Sequence, residues 1–200
     1  MVDQGLQVVA HGPERGRPDV QRLASDRGGE GARDRVDQVL GRIDLFLLHA
    51  PDPAVALSTS VRTLAKLKDE GLASAIGLSN VSLPQLKHAL DLAPISTVQV
   101  ALGAFHQGPF RDGVVAHCLK HGLSVQAHTP LGGIKRAKAL AKNATLARIA
   151  ARHGATAQRV ALSWLASLGI TPLAGARRIE TARALEALRV RKAILSNGSP

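Results

Sequence analysis

Five polar groups stand at or near the ends of apolar runs: His49, Ser79-Asn80, Gln99, His128-Thr129 and Gly175-Ala176-Arg177-Arg178. An imidazole titrates near neutrality and can orient a reacting group or exchange a proton with it. The amides of Asn80 and Gln99 each offer a donor and an acceptor, which suits a primary carboxamide, the polar group of nicotinamide. A flat ring at His128 can stack on a flat cofactor ring. Gly175 to Arg178 lies between an apolar run and a helix start, where backbone N–H groups, the helix dipole and guanidinium groups favour phosphate. Each group also has a plainer reading. His49 can be a strand-end histidine bonded to a loop, Asn80 a turn residue, His128 a satisfied core histidine, and Arg177 with Arg178 a solvated pair. His117 and His121, four residues apart with Cys118 between them, have a spacing that can hold zinc. No third ligand is evident, and no metal is expected.

These residues need elements to position them. Ile43 to Leu48 is almost continuously apolar, as in a strand buried on both faces, and Pro51 and Pro53 end it. The pattern then predicts a helix over about 55–70, a strand at 73–78 and a helix capped by Ser82 and opened by Leu83 and Pro84. A strand at 97–102 carries Gln99, and a polar loop with Phe105, His106 and Phe110 follows. After a helix over about 111–121 comes a strand at 123–127, ending in His128-Thr-Pro-Leu-Gly-Gly133. A basic connection leads to helices at about 143–153 and from Thr156, the latter holding Trp164. A strand at 170–173 and a helix from Glu180 to about Arg189 complete the pattern. Strands alternating with helices mean parallel βαβ units, in an open doubly wound sheet or part of a (β/α)8 barrel. No Gly-x-Gly-x-x-Gly follows any strand, so the dinucleotide fingerprint of the open sheet is missing.

The three regions differ in character. Residues 1–42 are irregular, with Leu6 to Ala10 as one short strand and a Gly-, Arg- and Asp-rich stretch after it. Residues 43–189 form the regular α/β body, and residues 190–200 are expected to fray. The chain of 200 residues is 45% hydrophobic, enough for one ordinary domain with a core. With three phenylalanines, one tryptophan and no tyrosine, that core must be built from Leu, Val, Ile and Ala.

The net charge is +11, and the excess lies wholly in residues 43–200, because residues 1–42 carry seven arginines against seven acids. Anionic cofactor groups or a solvated surface account for it as well as nucleic acid does, and no aromatic stacking positions lie beside it in sequence. Nucleic-acid binding is therefore not expected. The lone Cys118 excludes an intrachain disulfide and fits a reducing, cytoplasmic setting. No apolar run reaches membrane-spanning length, and no signal pattern opens the chain.

From about Gly41 to Leu188 the sequence resembles the aldo-keto reductase family. Arg42-Ile-Asp-Leu-Phe-Leu-Leu-His-Ala-Pro51 resembles the family's fourth strand with its active-site histidine. Gly77-Leu-Ser-Asn80 and Val98-Gln99-Val100 resemble the segments whose side chains hold the carboxamide. Ala127-His-Thr-Pro-Leu-Gly-Gly133 resembles the loop over the nicotinamide and pyrophosphate. Ala157-Gln-Arg-Val-Ala-Leu-Ser-Trp-Leu165 resembles the penultimate helix, and Pro172 to Arg178, with Glu180 and Thr181, the segment that grips the adenosine 2′-phosphate.

The resemblance implies a partial (β/α)8 barrel holding strands four to eight, with NADP(H) as cofactor and a small-molecule aldehyde or ketone as substrate. It implies His49 as catalytic residue and Ser79, Asn80, Gln99, His128, Thr129, Leu131, Gly175, Ala176, Arg177 and Thr181 as cofactor-binding residues. In the family a tyrosine, helped by a lysine paired with an aspartate, protonates the carbonyl oxygen. This sequence has no tyrosine and no lysine before Lys66, so of that set only His49 carries over. Leu6 to Gly12 would stand where the third strand belongs, with His11 near the place of the lysine. The composition of residues 1–42 suggests a separate origin for that segment. An inactive half-barrel that at most binds NADP(H) or a partner is the alternative expectation.

Overall fold

A computed structural model describes residues 7–9 and 43–175, and two compact units divide the chain between Gln99 and Val100.

The first unit is built on β2 (Ile43–Leu48), with β1 (Gln7–Val9) on one edge and β3 (Ala73–Ser79) on the other. Phe46 and Leu47 are neighbours in β2 and both are buried, so both faces of the strand are covered, as its apolar run predicts. Helix α1 (Leu57–Asp69) connects β2 to β3 and buries Val61 and Leu64, three residues apart and hence on one stripe. It stops at Glu70, and Gly71 then takes φ +77°, a turn that costs glycine little. Helix α2 (Leu83–Leu90) starts as its sequence demands. The Ser82 side chain accepts from the Gln85 N–H, the Gln85 side chain accepts from the Ser82 N–H, and a proline stands in the first turn. Strand β4 (Ile95–Ala101) pairs parallel to β3, with a register shift at Ile76/Gly77, and begins two residues earlier than the sequence indicates.

One expectation is corrected here. β1 runs antiparallel to β2, pairing Val8 with Phe46. A third strand of a parallel barrel would run parallel to the fourth, so residues 7–9 are not its counterpart.

The second unit begins within β4. Gly103 and His106 form a small antiparallel bridge where a polar loop is expected. A one-turn helix, α3 (Gly108–Arg111), stands where the polar loop is expected, and the helix expected over 111–121 is α4 (Val114–Lys120), which starts after Gly113 at φ +82°. Strand β5 (Ser124–His128) follows, and Leu102 donates its N–H to the His128 carbonyl at 3.3 Å. The stretch expected to be a basic connection is instead helix α5 (Gly133–Ala139) and a 3-10 turn, Leu140–Lys142. Helix α6 (Ala144–Arg152) is capped by the Asn143 side chain and α7 (Ala157–Ser167) by Thr156. Strand β6 (Thr171–Leu173) pairs parallel to β5. The core of this unit is Val, Leu, Ile and Ala with Cys118, and no aromatic side chain among the described residues is buried in it.

Candidate active site

The first unit brings four of the expected residues to the carboxyl ends of its parallel strands. Ser79 is the last residue of β3 and is fully buried; Gln99, near the end of β4, is 3% exposed. The two are register partners, one step beyond the pair Leu78–Val98. Residues two apart on a strand share a face, and register partners in parallel strands point the same way. Leu47, Gly77 and Thr97 thus form one row across three strands. The next row is His49, Ser79 and Gln99, with His49 one residue past the last registered position of β2. Sequence reading missed Thr97, although its spacing of two from Gln99 is the signal that places both on one face.

Ser79, Thr97 and Gln99 are the buried polar side chains among the described residues. All three stand in this face of the sheet. Burying such groups is costly unless they are hydrogen-bonded, so their placement is not what a purely apolar core would choose.

Asn80 binds the row together. Its Nδ2 donates to the His49 backbone carbonyl at 3.0 Å and to Ser79 Oγ at 3.1 Å, and its N–H donates to the Gln99 carbonyl at 3.0 Å. It does so at φ +56°, in the left-handed region that asparagine tolerates better than most residues. Gly77 makes room for the row below. A Cβ there would strike the Thr97 carbonyl and the Leu47 side chain.

In the second unit His128 ends β5 half-buried, with Nδ1 3.0 Å from Thr129 Oγ1. Thr129 has φ +54°, and a β-branched residue there is strained by about 1–3 kcal/mol. Asn80 and Thr129 are the non-glycine residues with positive φ among those described, and each follows a strand directly. Strain of this kind gathers where a backbone is held for function. Leu131 is half-buried and packs against Leu140, Ala157 and Ala161, so it anchors its loop. Gly175 is exposed, and a Cβ there would meet nothing within 4 Å. Ala176, Arg177 and Thr181 lie outside the described residues.

The zinc spacing gives a tilted ring contact: the His117 and His121 ring centroids are 4.3 Å apart with 40° between their planes. Cys118 between them is fully buried, and desolvation pushes its thiol up to about 11. Among the described residues no group of three or more His, Cys, Asp or Glu side chains could hold a metal ion. No described helix is long and apolar enough to cross a membrane.

Residues 32–193 match the Aldo/keto reductase family. The chain belongs to that family. Methylglyoxal reductase DkgB of Escherichia coli is 31% identical over 142 residues, which are 69% of this chain and 51% of that protein. Pyridoxine 4-dehydrogenase of Escherichia coli is 31% identical over 148 residues, 74% of this chain and 49% of that protein. The chain therefore spans about half the length of the curated relatives it matches. A thermostable aldo-keto reductase crystallised with the inhibitor epalrestat superposes with a TM-score of 0.69 at 29% identity, over 80% of this chain and 58% of that one. An aldo-keto reductase from Klebsiella pneumoniae in complex with NADPH gives 0.64 at 25% identity, over 78% and 57%.

In an aldo-keto reductase the expected parallel βα units are those of a (β/α)8 barrel. The parallel pairs β2–β3, β3–β4 and β5–β6 are part of that fold, and the chain aligns with a little over half of the solved chains. The row His49–Ser79–Gln99 lies at the strand ends where barrels of this class carry their chemistry.

Proposed function

We propose that this chain is an NADP(H)-dependent oxidoreductase that reduces a small-molecule aldehyde or ketone to the alcohol. The observation that carries the reading is the burial of Ser79 and Gln99 as register partners in the row that His49 extends. The donor set fits a nicotinamide. A carboxamide has two N–H donors and one carbonyl acceptor, and a hydroxyl with two side-chain amides offers partners for both kinds. Ser79, Asn80 and Gln99 hold that group. His128, Thr129 and Leu131 are assigned to the cofactor as well, the flat ring of His128 being of a kind that stacks on a flat cofactor ring. Gly175, Ala176, Arg177 and Thr181 receive the phosphate end, where guanidinium groups prefer the extra 2′-phosphate of NADP(H) over NAD(H).

Bound NADPH supplies the hydride for the carbonyl carbon. His49 orients the carbonyl by donating a hydrogen bond to its oxygen, and Asn80 fixes the His49 backbone for that task. The proton that completes the alcohol comes from His49 or from solvent water, since the sequence has no tyrosine. The single cysteine, buried and held as the thiol, fits the reducing conditions of the cytoplasm.

The missing tyrosine favours a second reading, in which the chain binds NADP(H) and does not turn over. General acid catalysis is worth about 10²–10⁴-fold, so its loss alone could reduce turnover below detection. Consumption of NADPH in the presence of small aldehydes and ketones, methylglyoxal among them, separates the two. Carbonyl-dependent oxidation with saturable NADPH binding supports the first reading. Binding without oxidation supports the second, and a folded chain that binds no NADPH excludes both.

A further inference from the structure

The charge of this protein belongs to one of its units. Residues 43–99 hold four Lys and Arg side chains against five acids. Residues 100–175 hold nine against one, Asp112, and no Asp or Glu occurs from Gly113 to Ile179. Five of the nine cations are exposed on two consecutive helices and the turn between them: Arg136 and Lys138 on α5, Lys142 in the turn, and Arg148 and Arg152 on α6.

These helices form one body. Leu140 from the turn meets Ala157 and Ala161 of α7 in a small apolar cluster, with Leu131, Leu146 and Ala104 packed against it. Gln158 of α7 donates to the Ala137 carbonyl of α5 at 2.8 Å. Leu146 of α6 packs onto this cluster and Ala150 is buried, while the five cations remain exposed. No ion pair among the described residues involves any of the five.

A second feature stands beside them. Phe105, next to Ala104 of the cluster, is 37% exposed, and the Arg136 guanidinium lies over its ring at 5.6 Å. A partly exposed ring with an arginine over it, next to a row of cations, suits phosphates along the helices and a base against the arginine or the open part of the ring. Insertion into a membrane would instead need exposed large apolar side chains among the cations. None of those described between Gly133 and His153 is exposed.

We infer that the outer surface of α5 and α6, with Phe105 at its border, binds single-stranded nucleic acid through its phosphate backbone without sequence preference. The inference departs from the expectation drawn from the linear sequence. One ground of that expectation is the lack of an aromatic residue beside the charge, and the fold brings Arg136 over Phe105. This surface adjoins the loop of Leu131 and Gly132, and the inference does not draw on the residues assigned to the nicotinamide carboxamide.

The test is fluorescence anisotropy of the full chain with a labelled oligothymidylate of about 20 nucleotides. With about five phosphate contacts the slope of log K against log salt is about −3.5, so affinity falls about 10²-fold between about 50 and about 200 mM salt. Arg148→Gln with Arg152→Gln flattens that slope by about 1.4, and Phe105→Ala weakens binding about tenfold. Arg62→Gln with Lys87→Gln, in the other unit, leaves both unchanged. Circular dichroism of each variant confirms its fold, and the salt slope of the unmodified chain stands even if a variant fails to fold. The inference is overturned by absence of binding at low salt, by equal losses in both double variants, or by displacement of the oligonucleotide at NADPH concentrations that saturate the cofactor site. Binding to phosphatidylserine vesicles with none to the oligonucleotide also overturns it.

Discussion

Asn80 donates from Nδ2 to the backbone carbonyl of His49 at 3.0 Å, across 31 residues of sequence. The same nitrogen reaches Ser79 Oγ, and the backbone N–H of Asn80 is given to Gln99. One left-handed residue thus joins the ends of three strands. Replacing it tests backbone and side chain separately. Asn80→Ala loses the side-chain bonds and places a Cβ residue less suited to φ +56°, at a combined cost of about 2–3 kcal/mol in urea unfolding. Asn80→Gly loses the same bonds but accepts the backbone, and costs about 1 kcal/mol less than Asn80→Ala. Both lose NADPH affinity to the same degree. Equal stability of the two variants would show that the left-handed backbone carries no strain.

Gly77 makes a sharper prediction. Its Cβ would meet the Thr97 carbonyl, a backbone atom that cannot turn aside, as well as the Leu47 side chain. Gly77→Ala should lower stability by about 1–3 kcal/mol or more, read from the urea midpoint. A variant as stable as the parent would mean that β2, β3 and β4 do not approach as described.

How much of this was legible in sequence depends on the kind of signal. His49, Ser79 and Gln99 follow from apolar runs of strand length, because alternation fixes which residues share a face. The caps at Ser82, Asn143 and Thr156 use local hydrogen bonds, and the first and last were readable from spacing alone. The direction of β1 was not readable, since a three-residue strand carries no sign of its sense until it pairs. Helix α5 was missed because Gly-Ile-Lys-Arg-Ala-Lys-Ala has almost no apolar periodicity, and its place is set by the packing of Leu140 and Leu131. The Arg136–Phe105 contact joins residues 31 apart in sequence and leaves no local pattern.

Cys118 gives a prediction in pH. Burial raises its pKa from 9.0 to about 11, so between these values the folded chain holds a proton that the unfolded chain has lost. Stability from this group is therefore full below pH 9.0 and is lost as pH rises towards about 11, by on the order of 2–3 kcal/mol in all. Urea unfolding at a series of pH values should show the decline, and Cys118→Ala should flatten it. The native thiol should also resist a thiol reagent at pH 8 and react on unfolding.

Ser82 provides a control away from the site. Ser82→Ala removes the two hydrogen bonds of the hydroxyl, from the Gln85 N–H and to Gln85 Oε1, at about 1 kcal/mol, and keeps the bond from the backbone N–H of residue 82 to Gln85. Thermal unfolding should register the loss while NADPH affinity stays at the parent value. If affinity fell with stability, changes seen in site variants would have to be read as loss of fold.

The central claim is that Ser79, Asn80 and Gln99 hold a nicotinamide carboxamide, and the most direct measurement is a fluorescence titration of the folded chain with NADPH and NADH, repeated on Gln99→Leu. Removing one buried hydrogen-bonding partner should cost about 1–3 kcal/mol, so the account predicts saturable binding that prefers NADPH and weakens about 10- to 100-fold in the variant with the fold intact. Binding of equal strength in Gln99→Leu, or no binding by a folded parent chain, would contradict it.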